Sequence, residues 1–344
     1  MMIVLGKKKL FLLLVFLLCA GCFHHQALTS SVSTKSSLKK ASVSSFSVSV
    51  GETIHIDDQV RASELRPTKA ISFVDERQGY GLVAVNSELL FLQTTDQGVY
   101  WKINSKLPDL TGTNLLSFLD MQTGWLLTSP TRDQKSELRL TSDGGRTWEV
   151  IARDLPGLEV SAGAPFFRFF DRQNGLIAAK GITDMVLLRT QDGGLTWSAS
   201  SRIPLPRAAD GTFAFVSSTE GWFVGPGKKN EAPSLLYHMV DGQTWEEAGR
   251  LPSPLAARAI SFSDAQNGFI LQPAYRLSSV TQWQLLRTED GGQTWSEHAF
   301  PSSFQPLDFD MQMNFFSAAN GWLVDTASMW RSTNGGINWA ALAP

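Results

Sequence analysis

The chain has 344 residues, of which 43% are apolar and 18% charged; the charged share falls below the roughly 25% of an average soluble protein. Lys and Arg total 30 against 32 Asp and Glu, a net charge of −2 that argues against the basic footprint of sequence-independent nucleic-acid binding. The 28 Gly and 11 Trp indicate many turns and repeated aromatic anchors, and 2 Cys exclude a disulfide framework.

In chain order, Lys7, Lys8 and Lys9 precede an apolar run, Leu10 to Leu18, and then small residues up to Cys22. Such a run is too short to span about 30 Å of hydrocarbon, so residues 1–22 read as a cleaved leader. The stretch Leu17-Leu18-Cys19-Ala20-Gly21-Cys22 resembles the bacterial lipobox, which implies that Cys22 is lipidated and becomes the first residue. Cys19 stands where the lipobox prefers Leu. Loss of the leader shifts the net charge from −2 to −5 and leaves no free thiol. The expected location is extracytoplasmic, on the bacterial membrane, at the cell surface or in the periplasm. Residues 23–43 are rich in Ser and Lys and are expected to form a tether with an r.m.s. reach of about 25 Å. His24 and His25 read as spacer, since no other metal ligand is near in sequence.

From residue 44 onward the chain repeats six times, and a single domain is expected over 44–344. Asp143-Gly144-Gly145-Arg146-Thr147-Trp148, Asp192-Gly193-Gly194-Leu195-Thr196-Trp197 and Asp290-Gly291-Gly292-Gln293-Thr294-Trp295 are the clearest copies. Weaker copies begin at Asp96, Asp241 and Asn334, and successive terminal Trp residues lie 47, 49, 48, 50 and 44 positions apart. A second motif precedes each copy: Gly79, Gly124, Gly175, Gly221, Gly268 and Gly321 each follow a Phe by six places. Before that Phe, apolar residues alternate as in Leu116 and Phe118, the period of a sheet. Each unit therefore reads as four short antiparallel strands, with the first turn marked by Gly and the last by Asp-Gly-Gly. Units of this kind stack as blades, so the expected fold is an all-β propeller of six blades, with seven as the alternative. Only five residues follow Trp339. Residues 44–60 are therefore expected to supply the last blade's outer strand and close the ring.

The Asp-Gly-Gly turns resemble the Asp-box of sialidase-type repeats, which implies a structural role for Asp96, Asp143, Asp192, Asp241, Asp290 and Asn334. One carboxylate per turn is far short of the six to eight oxygens that Ca²⁺ takes, so no metal or cofactor is expected. Across residues 70–340, the pattern Phe-x-Asp-x-x-x-Gly-Trp followed by Thr-x-Asp-Gly-Gly-x-Thr-Trp resembles the photosystem II stability and assembly factor family. Members of that family in plants and cyanobacteria are extracytoplasmic assembly chaperones, and relatives occur in non-photosynthetic bacteria. The resemblance rests on residues that build blades and is specific for fold.

A sialidase needs an Arg triad, a Tyr nucleophile paired with Glu, and an Asp acid/base, and these do not assemble in the sequence; Arg202-Ile203-Pro204 echoes a sialidase signature in the wrong place. Arg189, Arg287 and Arg331 each stand three residues before the motif Asp or Asn, and pairing within their own blades is expected of them. Arg168 is a lone charge on a first strand, where the other repeats carry Ser72, Ser117, Ala214, Ser261 and Asn314, and it is the first candidate for ligand contact. Further binding candidates sit on insertions after the second strands: Ser129 to Glu137, the loop with Lys228 and Lys229, and Pro273 to Gln284 with Tyr275, Arg276 and Trp283. The expected function is a lipid-anchored, non-enzymatic propeller that binds a membrane or envelope protein as an assembly or stability factor. The alternative is a carbohydrate-binding or sialidase-like glycoside hydrolase propeller.

Overall fold

The computed structural model describes residues 49–343 apart from 56–65, 86–87, 108–113, 157, 159–165, 181–184, 204–210, 226–233, 253–255, 275–281, 307–310 and 326–327. Cys22, the tether, Lys228, Lys229, Tyr275 and Arg276 lie outside the described residues. Among those described, every regular element is a β-strand, and the strands form six antiparallel blades in a ring. Blade 1 comprises Arg66–Phe73, Gly79–Val85, Glu88–Thr94 and Tyr100–Leu107. Blade 2 comprises Asn114–Phe118, Gly124–Thr128, Glu137–Thr141 and Glu149–Arg153, and blade 3 Phe166–Phe169, Gly175–Lys180, Met185–Thr190 and Ser198–Ile203. Blade 4 comprises Thr212–Phe215, Gly221–Gly225, Leu235–Met239 and Glu246–Arg250. Blade 5 comprises Ala259–Phe262, Gly268–Ala274, Gln282–Thr288 and Ser296–Ala299, and blade 6 Gln312–Phe315, Gly321–Val324, Met329–Ser332 and Ala340–Ala343.

The recurrent Phe explains the other recurrences. The Gly six places on lies so close to its ring that a Cβ there would come within 2.3–2.8 Å of a ring carbon in every blade. The residue after that Gly stacks on the Phe of the next blade: Tyr80 on Phe118 at 3.9 Å, Trp125 on Phe169 at 3.7 Å, Trp222 on Phe262 at 3.7 Å, and Phe269 on Phe315 at 3.5 Å. At the blade 3/4 seam an aliphatic side chain, Leu176, takes the place and packs with Phe215. In five of the blades the Trp that ends the repeat meets its own blade's Phe edge-on, as Trp197 meets Phe169 at 83° and Trp339 meets Phe315 at 89°. The buried core is accordingly divided among clusters that each join two neighbouring blades. Each aromatic pair contributes about 0.5–1.5 kcal/mol beyond its buried area.

The expectation that residues 44–60 complete the last blade is corrected. Blade 6 has its own outer strand, Ala340–Ala343, because an outer strand here needs only about four residues, as Ser296–Ala299 also shows. Thr53–His55 instead adds a fifth strand to blade 1, with Ile54 opposite Trp101. Side chains join blade 6 to blade 1: Phe73 stacks on Trp322 at 4.6 Å and Asn320 Nδ2 donates to Glu76 Oε1 at 2.6 Å. Where outer strands face solvent, a register shift against the third strand in blades 2, 3, 4 and 6 twists the edge away from further pairing.

Gly268→Ala is expected to destabilise the protein by about 1–3 kcal/mol, because the new methyl would stand 2.3 Å from the Phe262 ring. Denaturant unfolding checks this, and an unchanged midpoint would contradict the packing described.

Candidate functional site

The first strand of each blade borders a central cavity of about 570 Å³. The residue just before the recurrent Phe faces the neighbouring blade along this wall. Ser72, Ser117 and Ser261 each accept a hydrogen bond from the Phe amide of the following blade, Phe118 N at 3.0 Å, Phe169 N at 2.8 Å and Phe315 N at 2.8 Å. These hydroxyls satisfy inner-strand amides that have no strand partner on that side. Arg168 occupies the same position in blade 3. Its Nη1 donates to Phe215 O in blade 4 at 3.3 Å, and the guanidinium carbon stands 5.7 Å from the centre of the Phe170 ring. The side chain remains open to the cavity while protein surrounds it, and that burial pushes its pKa down from the usual arginine value. Arg258 also borders the cavity. Among the described lining residues these two arginines are the charged groups, and no carboxylate accompanies them.

The arginines before the motif Asp have a different place from the one expected. Arg189 Nη2 donates to Gly242 O in blade 4 at 2.6 Å, and Arg331 Nη1 donates to Gln97 Oε1 in blade 1. Both bonds cross a seam between blades, in contrast to the intrablade pairing expected, although Arg331 also lies 5.5 Å over Trp322 of its own blade and Arg287 pairs with Glu289 at 2.6 Å. A rule underlies the pattern. The first glycine carbonyl of an Asp-Gly-Gly turn receives a donor from the preceding blade: Asn104 Nδ2 to Gly144 at 3.2 Å, Trp125 Nε1 to Gly193 at 2.9 Å, and Trp222 Nε1 to Gly291 at 3.1 Å. Blade 3 has Leu176 in place of the indole, and there Arg189 supplies the donor. His238, at the same repeat position as these arginines, stacks on Trp222 at 4.4 Å and bonds Glu220 Oε1 at 3.2 Å.

Within an Asp-Gly-Gly turn the Asp carboxylate is satisfied locally. Asp192 Oδ1 accepts from the Thr196 amide at 3.0 Å and Oδ2 from the Thr196 hydroxyl at 2.6 Å, while Thr190 Oγ1 receives the Gly194 amide at 2.9 Å. Gly193 and Gly194 take φ of 76° and 100°, which side-chain-bearing residues rarely adopt. The Thr196 hydroxyl and amide hold the Asp192 carboxyl down to about 2, and Thr294 does the same for Asp290. Among the described residues no group of three or more His, Cys, Asp or Glu gathers in a way that could hold a metal ion.

Tyr80 donates its hydroxyl to Met121 O at 2.6 Å, and burial pushes the phenol up to about 12, which keeps it a neutral donor. Trp283 is 5% exposed and packs edge-on against Phe304. The three insertions all follow a second strand, and the one from Ser129 to Glu137 emerges on the face opposite the Asp-Gly-Gly turns. Of these, Ser129 to Glu137 is described in full: Arg132, Asp133, Gln134 and Lys135 are exposed, the Thr131 amide donates to Gln134 O at 2.8 Å, and Lys135 pairs with Asp154. The cross-seam donors were missed from sequence because their acceptors lie about 40–70 residues away; the one visible signal was Arg189 in the same blade as Leu176, which lacks the indole.

No protein-family model and no curated protein sequence matches the chain. Solved structures do share its fold. YCF48 bound to a D1 peptide is 17% identical, with a TM-score of 0.51 over 86% of this chain and 87% of that one. An α-L-arabinofuranosidase from Fusarium graminearum in complex with an iminosugar inhibitor is 16% identical, with a TM-score of 0.53 over 85% of this chain and 95% of that one. Likeness at this identity is likeness of fold, here to a binding protein and to a glycoside hydrolase alike.

The depressed carboxyls set an acid limit. Their folded pKa of about 2 lies below the ordinary 3.8, so their contribution is complete above pH 4 and is lost as pH falls towards 2. Thermal melts at decreasing pH should show the loss, and Asp192→Asn with Asp290→Asn should flatten that pH slope. An equal slope in the double variant would contradict the assignment.

Proposed function

We propose that the protein is a lipid-anchored, non-catalytic propeller that holds a membrane or envelope protein during assembly or maintenance. The observation that carries this reading is the division of labour in the structure. The recurrent aromatics and Arg189 and Arg331 are committed to holding blades together and the turn aspartates to shaping their own turns, whereas the exposed Arg132 to Lys135 loop stands on the opposite face from the turns. A rigid disc with variable loops on one face is a scaffold suited to recognition. The peptide-bound YCF48 propeller supports the same reading by its fold. The lipobox-like stretch ending at Cys22 supports an anchor, with residues 23–43 as the spacer.

The glycoside hydrolase reading has the arabinofuranosidase likeness behind it. Glycoside hydrolysis ordinarily uses two carboxyl groups flanking the scissile bond. The described lining of the central cavity offers arginines instead.

Affinity capture from gently solubilised host membranes tests the proposal, with wild type compared against Arg132→Ser, Lys228→Ser, Lys229→Ser in combination. A stoichiometric membrane protein retained by wild type and lost at least roughly tenfold in the variant is the expected result, since rim charges govern encounter and register. Equal capture by both, or none by either alongside hydrolysis of an arabinoside or sialoside panel, would overturn it.

A further inference from the structure

Arg168 is at odds with its surroundings in a way that a purely structural residue would not be. At the same position in three other blades a serine hydroxyl bridges to the next blade's Phe amide, a compact and neutral link. The inner strands of blades 1/2, 2/3, 4/5 and 5/6 run close together, whereas those at the 3/4 and 6/1 seams approach each other less. Arg168 sits at the 3/4 seam. A neutral side chain of similar length would fill it equally well, so size alone does not account for a charge. Of the five donors on the guanidinium, the one hydrogen bond made to the described residues is a long one, to Phe215 O at 3.3 Å. Because the side chain is open to the cavity, its other donors face whatever enters there.

The cavity beside it has the dimensions of a small-molecule site, at about 570 Å³. Phe166 borders the cavity beside Arg168, 5.0 Å from the buried Phe215, and Ser117, Thr212 and Asn314 add polar groups to the lining. Arg258 lies three residues before Ser261, the blade 5 counterpart of Arg168, and adds positive potential that draws anions inward. A guanidinium fork matches a planar carboxylate through two parallel hydrogen bonds, and the Phe166 ring accepts an apolar body that carries it.

We infer that the central cavity is a binding site for a small organic monocarboxylate with an apolar body, with Arg168 holding the carboxylate. The inference goes beyond the partner-binding function and stands whether or not that function holds.

The test uses the purified protein with hexanoate and benzoate, their neutral amides hexanamide and benzamide, and inorganic phosphate, read by calorimetry and by melting temperature. At least one acid should bind saturably with one site per chain and raise the melting temperature, while its amide and phosphate do not. Arg168→Ser, which installs the residue found in three other blades, should weaken that acid roughly tenfold or more. Arg168→Lys should fall between the two, because it keeps the charge but loses the fork. In unsubstituted protein the acid should also shift the Arg168 Nε–H resonance, a readout that depends on no variant folding. Failure of both acids to bind, equal binding of acid and amide, tighter binding of phosphate, or an undiminished affinity in Arg168→Ser would each overturn the inference.

Discussion

Everything in this molecule turns on a flat phenylalanine held between blades. On one side the ring lies against a glycine of its own blade so closely that no side chain fits, and it also takes the stacked aromatic of the preceding blade. Its edge receives the Trp that ends its own repeat. One ring therefore ties three sequence features of two blades into a single contact, and repetition of the contact around the disc generates the ring. Burial of this kind needs neither disulfide nor metal, which suits a chain whose only mature Cys is the expected lipid anchor.

Polar groups follow the same seams. Serine hydroxyls receive inner-strand amides, and indole, amide or guanidinium donors reach the glycine carbonyls of the next turn. Because these bonds cross from blade to blade, each leaves its acceptor orphaned in a buried place if the donor is lost, a cost of about 1–3 kcal/mol. The 3/4 seam departs from the rest on both counts. Leu176 replaces the stacking aromatic, Arg189 replaces the indole donor and Arg168 replaces the serine. Three departures coincide at this seam, although Ala214 and Asn314 also stand where other blades carry the serine and Asn104 is also a donor other than indole.

The fold was legible because Phe, Gly, Asp and Trp recur at fixed offsets, and each recurrence has one physical cause that local sequence can carry. Six blades could be counted for the same reason. Ring closure was misread because outer strands of about four residues, such as Ala340–Ala343, are too short to leave a periodic signal. Arg287 pairs within its own blade as expected, but the cross-seam bonds of Arg189 and Arg331 were not legible, because a bond such as Arg189 to Gly242 depends on how neighbouring blades are rotated, which no single repeat encodes. Arg168 was legible as an exception to its own repeat, but the cavity beside it exists only once all six first strands are assembled.

A double-mutant cycle on Trp322 and Phe73 tests the central claim most directly, because their stack at 4.6 Å joins the last blade to the first. Trp322→Leu, Phe73→Leu and the pair together would be compared by equilibrium unfolding. A coupling energy of about 0.5–1.5 kcal/mol within one cooperative transition is the result this account predicts. Additive losses would show that the aromatic contact does not close the ring.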